Sequence, residues 1–315
     1  MSDLRTKIWE LELEAPILSA AGTVGHGDEL RIIDAPSIFK EVGAFVTKGI
    51  TLKPRAGNPP MRLVETNYGL INAIGLQNNG VDYFFREELP KLRKYGIPII
   101  VNIAAETVEE FENLAKRIRT KPSDLYQGIE INVSCPNIKR GGIAFGVDPE
   151  LVEEVVKKVR KHLGDKLIIT KLTPNVTDIV EIGKAAIKGG SNALSMINTV
   201  RGMAIDIYSR KPFLSNKFGG LSGPAIKPIG VLAVYECYEG IKECNTQKIP
   251  IIGLGGIMTA ADALEYIMAG ATAVGIGTGF YYSFNIFSDI KKGIAEYLER
   301  ERKKLTELIG IVHNP

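Results

Sequence analysis

The residues of this chain that could do chemistry stand at the ends of short apolar segments. Five segments rich in Val, Ile, Leu and Ala each end in an amine or amide side chain. Such groups are costly to bury without partners, so their repeated occurrence predicts a ligand. If the segments are parallel strands of one sheet, their carboxyl ends meet on one face and the side chains converge there. These residues are Lys48, Asn102, Asn132, Lys171 and Asn198, the last of which is followed by Thr199.

Two glycine pairs indicate what part of that ligand is. They lie in Gly253-Leu-Gly-Gly-Ile257 and Gly275-Ile-Gly-Thr-Gly279, at the ends of two further apolar segments. Glycine lets backbone N–H groups approach phosphate oxygens closely, and a following helix start adds a favourable dipole. Either motif alone could be a tight strand exit. Together they predict a phosphate-binding site.

The lysines and amides suggest what carries the phosphate. A fixed cation at Lys171 could stabilise negative charge on a reduced flavin ring. Asparagine offers a donor and an acceptor, which suits the imide-like edge of a flavin or a pyrimidine. The alternative for Lys171 is a buried structural ion pair.

Cys135 lies in Asn132-Val-Ser-Cys-Pro-Asn137, directly after an apolar segment. A free cysteine is usually a small core residue. Here the following Pro and a Gly-rich loop favour a partly exposed position, and no histidine in the sequence is placed to activate an acyl-transfer nucleophile. A thiol with an ordinary pKa of about 8.5 can instead remove a proton from an acidic C–H group.

The elements that must position these residues form a repeat of strand and helix. The apolar segments are continuous rather than alternating, which is typical of strands buried on both faces of a parallel sheet. Eight strands, each followed by a helical pattern, predict an α/β fold, a (β/α)₈ TIM barrel, as a single domain over residues 1–315. The alternative is a doubly wound sheet. The predicted strands are residues 16–20, 44–49, 97–104, 128–134, 166–172, 192–198, 249–256 and 273–279.

The helices and the remaining segments complete this prediction. Residues 8–13 are expected to form a small hairpin that plugs the bottom of the barrel. Two long insertions, residues 51–79 and 199–223, are expected at the carboxyl-terminal face and to be functional. Helices are predicted over residues 106–120, 176–188, 224–242, 259–268 and 288–304, with another opened by Asp148-Pro-Glu150.

Composition excludes several classes of protein. The 315 residues are 45% hydrophobic and 24% charged, which argues against extensive disorder. The net charge of +3 is too small to imply nucleic-acid binding. No signal peptide or apolar stretch of about 18–20 residues is apparent, so no membrane association is expected. Three cysteines without a C-x-x-C pair favour a reducing cytoplasm, and Cys237 and Cys244 are interpreted as structural thiols on one helix.

Taken together, the motifs resemble the class 1 dihydroorotate dehydrogenases, and most closely class 1B. The resemblance runs from about residue 10 to about residue 300, so it covers nearly the whole chain. It implies oxidation of (S)-dihydroorotate to orotate in pyrimidine (UMP) biosynthesis, with one FMN at the top of the barrel. The matching strings are Thr47-Lys-Gly49, Asn72-Ala-Ile-Gly-Leu-Gln-Asn78, Asn132-Val-Ser-Cys-Pro-Asn137, Gly219-Gly-Leu-Ser-Gly-Pro-Ala225, Gly255-Gly256 and Gly277-Thr278.

The resemblance also implies a role for each matching residue. Cys135 would remove a proton from C5 of dihydroorotate while hydride leaves C6 for the flavin N5, and the loop from Pro136 to about Val147 would be a lid. No metal site is implied. The FMN would be lined by Ala21, Lys48, Gly49, Asn102, Asn132, Lys171, Ile197, Gly223, Gly255, Gly256, Gly277 and Thr278. The substrate would be held by Lys48, Asn72, Ala73, Ile74, Gly75, Leu76, Asn132, Asn137, Asn198 and Thr199.

The subclass bears on the partners. Class 2 enzymes begin with a membrane-associated helical segment that is not seen here. Class 1A enzymes are homodimers that pass electrons to fumarate, whereas class 1B enzymes add a second subunit with FAD and an iron–sulfur cluster and reduce NAD. The resemblance thus implies a homodimeric core and leaves open a separate electron-transfer subunit, which this chain could not replace because it lacks cluster cysteines.

Three other interpretations remain open on sequence grounds. A dihydropyrimidine (uracil-type) dehydrogenase-like flavin barrel shares a similar Ser-Cys-Pro string but has substrates without a carboxylate. A flavin-free barrel enzyme acting on a phosphorylated sugar would be colourless. A non-catalytic scaffold would leave the polar strand ends unexplained.

Overall fold

Eight parallel strands form the centre of the molecule in the computed structural model. The structure describes residues 3–27, 29–30, 36–134, 136–137, 143–244 and 248–314. Most of the eight strands are fully buried, as expected for a sheet covered on both faces. They are β1 (Ile17–Ser19), β2 (Phe45–Val46), β3 (Ile99–Ile103), β4 (Gly128–Asn132), β5 (Leu167–Lys171), β6 (Ala193–Met196), β7 (Ile251–Leu254) and β8 (Ala273–Ile276).

The strands follow one another around the sheet in chain order, and the two ends of the sheet meet. β8 pairs with β1, while Leu18 of β1 bridges Ala44 just before β2. The Gly43 N–H donates to the Ile17 carbonyl oxygen at 2.8 Å. A doubly wound sheet would have reversed its strand order and left two open edges. The (β/α)₈ barrel is therefore confirmed, with each strand inside its predicted segment.

Helices surround the barrel, and several begin at caps that the sequence signals. Thr107, Asp148, Asp178 and Thr259 each accept backbone N–H groups of the first turn. The ten α-helices of the described residues include the six predicted ones, with shifted ends, and four short ones that were not predicted. They are α1 (Gly80–Tyr83), α2 (Leu89–Arg93), α3 (Val108–Arg119), α4 (Pro149–Leu163), α5 (Ile179–Lys188), α6 (Lys227–Gly240), α7 (Ala260–Ala269), α8 (Gly279–Tyr282), α9 (Ile286–Glu301) and α10 (Leu305–Leu308), with a π-helical segment Phe84–Glu88 between α1 and α2 and 3-10 segments Pro36–Lys40, Ser123–Leu125, Phe145–Val147, Pro224–Ile226 and Ile311–His313.

A hairpin closes the amino-terminal end of the barrel. Thr6–Ile8 pairs antiparallel with Leu11–Leu13. Ile8 and Leu13 are buried in one cluster with inward-facing residues of the barrel strands. The predicted plug at the bottom is thus confirmed, and the interior is apolar below the polar residues near the strand ends.

The two long insertions meet above the opposite end as a small antiparallel sheet, which the sequence patterns did not predict. Leu63–Thr66 and Gly69–Asn72 come from the first insertion, and Val200–Gly202 and Gly219–Ser222 come from the second. A two-strand hairpin, Ile205–Asp206 with Lys211–Pro212, extends from the second. Insertions far apart in the chain therefore form one structure beside the strand ends.

The two described cysteines occupy different environments. Cys237 is fully buried in α6, whereas Cys244 is exposed and lies beyond the end of that helix at Gly240. The expectation that both are structural thiols on one helix was therefore wrong for Cys244. Neither forms a disulfide, and the assignment to a reducing compartment stays a prediction. In the part of the chain that the structure describes, no helix has the length and hydrophobicity needed to cross a membrane.

Candidate functional site

A cavity of about 1380 Å³ opens at the carboxyl ends of the barrel strands. It lies where the polar strand ends were expected to converge. Cys135 is outside the described residues, and so is the Asn137 side chain. Every other predicted site residue lines the cavity: Ala21, Lys48, Gly49, Asn72, Ala73, Ile74, Gly75, Leu76, Asn102, Asn132, Lys171, Ile197, Asn198, Thr199, Gly223, Gly255, Gly256, Gly277 and Thr278.

Lys171 is the most unusual of these residues. It ends β5 with only 6% of its surface exposed, and it is the only buried lysine or arginine in the described ranges. Its ammonium forms no hydrogen bond or ion pair with any described residue. A buried ammonium without a counter-ion is costly unless a ligand supplies the missing charge. The alternative of a structural ion pair therefore finds no support, and Lys171 is available to an anionic group in the cavity.

Three polar side chains at the ends of β4 and β6 form a network. Asn198 Nδ2 donates to Asn132 Oδ1 at 3.2 Å and to Ser134 Oγ at 2.9 Å. Asn132 Oδ1 also accepts the Ser134 backbone N–H at 3.1 Å. Because both amides are held through these atoms, the Asn132 Nδ2 donor stays available to the cavity. The described part of the chain is interrupted after Ser134, immediately before Cys135.

The insertions bring the Asn72–Leu76 residues over the strand ends. Asn72 ends a strand of the small sheet, and its Nδ2 donates to the Gly220 carbonyl oxygen at 3.1 Å. Its side-chain oxygen is left as an acceptor. Lys48 lies on the rim after β2, half-buried and without an ion pair to any described residue. A cation and an amide acceptor thus both line the cavity.

The glycine pairs after β7 and β8 leave backbone donors uncommitted. The N–H groups of Gly256, Gly277 and Thr278 donate to no acceptor among the described residues, whereas the Gly255 N–H faces Gly275 in the β7–β8 ladder. Gly256 has φ +67°, and a Cβ there would lie 2.8 Å from the Gly223 carbonyl oxygen, so only glycine fits this turn. Such free amides facing a cavity are suited to a phosphate.

At the start of helix α7, by contrast, several backbone donors are already used by the helix's own cap. Asp262 Oδ2 accepts the backbone N–H groups of Met258 and Thr259, and the Thr259 side chain accepts the backbone N–H of Asp262. Asp262 also pairs with Lys227 at 2.8 Å. The expected contribution of a helix dipole to phosphate binding stays a prediction, and the glycine turns are the part of this region with unpaired backbone donors.

Sequence reasoning missed several residues of the site. Glu130 and Ser195 lie on the inner face of β4 and β6, just below the rim, and bond to each other at 2.8 Å. A glutamate in the middle of an apolar strand was a visible signal for the first. Arg55, Arg62 and Arg201 lie at the cavity mouth. They belong to the two insertions, whose irregular sequence pattern gave no signal that would have identified them.

Comparison with known proteins identifies the family of the chain. The family model described as dihydroorotate dehydrogenase matches residues 3–298. The chain belongs to the dihydroorotate dehydrogenase family. Three similar relatives all carry the name dihydroorotate dehydrogenase B (NAD(+)), catalytic subunit. They come from Caldicellulosiruptor saccharolyticus (48% identical, 99% of each chain), Thermoanaerobacter sp. strain X514 (47%, 98% of each chain) and Geotalea uraniireducens (45%, 98% of this chain and 97% of the relative).

These relatives confirm the resemblance to class 1B, and dihydroorotate dehydrogenases are oxidoreductases that carry a flavin. The cavity of this chain fits a flavin on three independent features. The Lys171 ammonium lacks a counter-ion among the described residues, the buried Asn102 Oδ1 has no hydrogen-bond partner there, and the glycine turns present free amides. A flavin could pair a negatively charged ring with the ammonium, donate a ring N–H to the Asn102 oxygen, and place its phosphate against the free amides.

Proposed function

We propose that this protein is the FMN-containing catalytic subunit that oxidises (S)-dihydroorotate to orotate in pyrimidine biosynthesis. The observation that carries the proposal is the buried ammonium of Lys171, which has no partner among the described residues and lies in a cavity with free amide groups. Family membership supports the reaction, and the chemistry of the donors supports FMN as the flavin. We further propose that residues 1–315 form a single FMN-binding unit.

The reaction forms a C5=C6 double bond by removing a proton and a hydride. When bound, FMN would supply the two-electron acceptor for the hydride from C6. Cys135 is proposed as the base that takes the C5 proton, since its string Asn132-Val-Ser-Cys-Pro-Asn137 matches the family. Lys171 would stabilise the negative charge that the flavin ring gains.

The substrate is a planar ring with a carboxylate, and the cavity wall offers complementary groups. Lys48 would pair with the carboxylate. The amide donors and acceptors of Asn72, Asn132 and Asn198 would bond the ring edges, together with Asn137. Ala73, Ile74, Gly75, Leu76 and Thr199 would complete the contact surface.

The electrons must then leave the flavin. The name "catalytic subunit" carried by the relatives implies that they work with another subunit. We propose that this chain forms a homodimeric core that passes electrons to a separate subunit with FAD and an iron–sulfur cluster.

The decisive experiment is a visible absorption spectrum of the purified protein, recorded without air before and after adding dihydroorotate. A flavin spectrum that bleaches on addition supports the proposal. A colourless protein that does not take up FMN would favour the phosphosugar enzyme instead.

Ligand competition separates the uracil-type alternative. Orotate is expected to perturb the flavin spectrum at far lower concentration than uracil, because only orotate offers a carboxylate to Lys48. Lys48→Met should reduce this preference. Equal binding of both ligands would support the dihydropyrimidine dehydrogenase-like interpretation.

A further inference from the structure

Glu130 is a buried acid at the centre of the barrel that the proposed reaction leaves without a role. It lies in the middle of β4 with 2% of its surface exposed, and it is the only buried Asp or Glu among the described residues. No lysine or arginine lies within 4.0 Å of it in the described ranges. Burying a carboxylate costs free energy unless hydrogen bonds or charge compensate. Its position therefore needs a reason other than packing.

Two side chains on other strands donate to the carboxylate. Asn102 Nδ2 on β3 donates to Oε2 at 2.5 Å, and Ser195 Oγ on β6 donates to Oε1 at 2.8 Å. Asn102 and Glu130 are also register partners across β3 and β4. An ionised carboxylate only accepts, so the atom that Asn102 turns toward it must be the NH₂ group. The second atom of the amide, Oδ1, must then point away from Glu130.

That oxygen is left without a partner. Asn102 Oδ1 is buried, accepts no hydrogen bond in the described part of the chain, and belongs to a residue that lines the cavity. A Cβ added at Gly49 would lie 2.9 Å from it, so glycine at position 49 leaves room for this oxygen. A buried acceptor without a donor is unfavourable, so this oxygen needs a donor from outside the described residues.

We infer that Glu130 is a positioning residue that fixes the Asn102 amide with its oxygen toward the cavity, where it accepts an N–H of the flavin ring. The inference rests on the proposed function, since it assigns the ligand as FMN. Without Glu130, the amide could turn and present NH₂ to the same N–H, which is a repulsive contact. The carboxylate thus determines which ring edge the site accepts without touching the ligand.

A double-mutant cycle on FMN affinity tests this coupling, because residues in direct contact show an interaction energy that distant residues lack. The dissociation constant is measured from the quenching of FMN fluorescence by the apoprotein. Glu130→Gln removes the charge and lets the amide adopt either orientation, so FMN should bind roughly tenfold more weakly. Asn102→Asp places a second carboxylate against that of Glu130, and this repulsion should weaken FMN binding further.

The double variant carries the sharpest expectation. In Asn102→Asp with Glu130→Gln, the new amide at position 130 can donate to one oxygen of residue 102, and the other oxygen again faces the cavity as an acceptor. Adding Glu130→Gln should therefore improve FMN binding in the Asn102→Asp background, although it weakens binding in the wild-type background. A residue that is not coupled to Asn102 would not produce this reversal of sign.

Thr170→Val is the matched control. It removes another buried hydroxyl from the neighbouring strand, where Thr170 Oγ1 bonds Ser191 away from the cavity. Its FMN affinity should equal that of the wild type even if its Tm falls.

Wild-type protein that binds no FMN would overturn the proposed function. Wild-type protein that binds FMN, with additive effects of the two substitutions, would overturn the role of Glu130 alone.

Discussion

Asn198 Nδ2 donates to Ser134 Oγ at 2.9 Å, which ties the end of β6 to the residue that precedes Cys135. The two residues are separated by the whole of β5, whose last residue is Lys171. The start of the Cys135 segment is thus attached to the same rim that holds the buried ammonium. The proposed base, substrate site and flavin site are therefore expected to lie on one rim, and substitutions there test the role of each.

Replacing the proposed base should separate chemistry from binding. Cys135→Ala is expected to retain FMN and to bind orotate, but to oxidise dihydroorotate about a hundredfold or more slowly, since a positioned base contributes about 10²–10⁴. Anaerobic stopped-flow measurement of flavin bleaching provides the rate. Cys244→Ala, at an exposed position beyond α6, serves as the control. Near-normal bleaching in Cys135→Ala would remove this residue from the mechanism.

The pH dependence should follow the proposed thiol base. An ordinary cysteine thiol has a pKa of about 8.5, and only the thiolate can accept the proton. The rate of flavin reduction should therefore rise from about pH 6 to about pH 9. A flat profile over this range would indicate that another group or step controls the rate.

Chemical labelling can show that this titration does not come from the other thiols. Burial raises the pKa of Cys237 to about 12, with smaller contributions from Glu236 and Asp178. At a pH of about 8.5 its thiolate is almost absent, so iodoacetamide should modify the exposed Cys244 and spare Cys237 in the folded protein. Peptide mapping by mass spectrometry measures both. Rapid alkylation of Cys237 would contradict its buried environment.

Removing the buried ammonium of Lys171 should have opposite effects on the stability of the apoprotein and on FMN binding. Lys171→Met keeps the length of the side chain but removes a buried charge that no described residue compensates. The apoprotein should become more stable, with Tm rising by about 2 °C or more. FMN retention should fall, and the reduction potential of bound FMN should become more negative. A lower Tm together with an unchanged potential would show that Lys171 has a structural role.

Acid stability offers a test away from the site. Hydrogen bonds from Arg117 and Lys121 lower the pKa of Asp82 from 3.8 to about 2 and connect α1 to the end of α3. Because the folded-state pKa is lower, this stabilisation is complete above about pH 4 and is lost as the pH falls towards about 2. Asp82 is half-exposed, so Asp82→Asn should reduce the free energy of unfolding at about pH 7 by no more than about 1 kcal/mol. Urea unfolding at both pH values should show the difference disappearing in acid.

Local patterns were sufficient to predict the barrel. Continuous apolar segments predict strands buried on both faces, and cap residues such as Asp148 and Thr259 mark where helices begin. These signals depend on neighbours within a few residues. The same holds for the polar strand ends, whose convergence follows from parallel strands alone. All described members of that set indeed line one cavity.

Only the tertiary structure decided which of these polar groups are satisfied. Lys171 could have formed an ion pair, and the sequence offered 36 acidic residues as candidates. Asn102 and Glu130 are 28 residues apart, and Asn72 and Gly220 of the upper sheet are 148 residues apart. Such pairings depend on strand register, barrel closure and side-chain reach together. Composition and spacing therefore determined the fold and the general chemistry of its rim. Packing between distant segments determined the partners that orient each amide and left the buried Lys171 without a partner among the described residues.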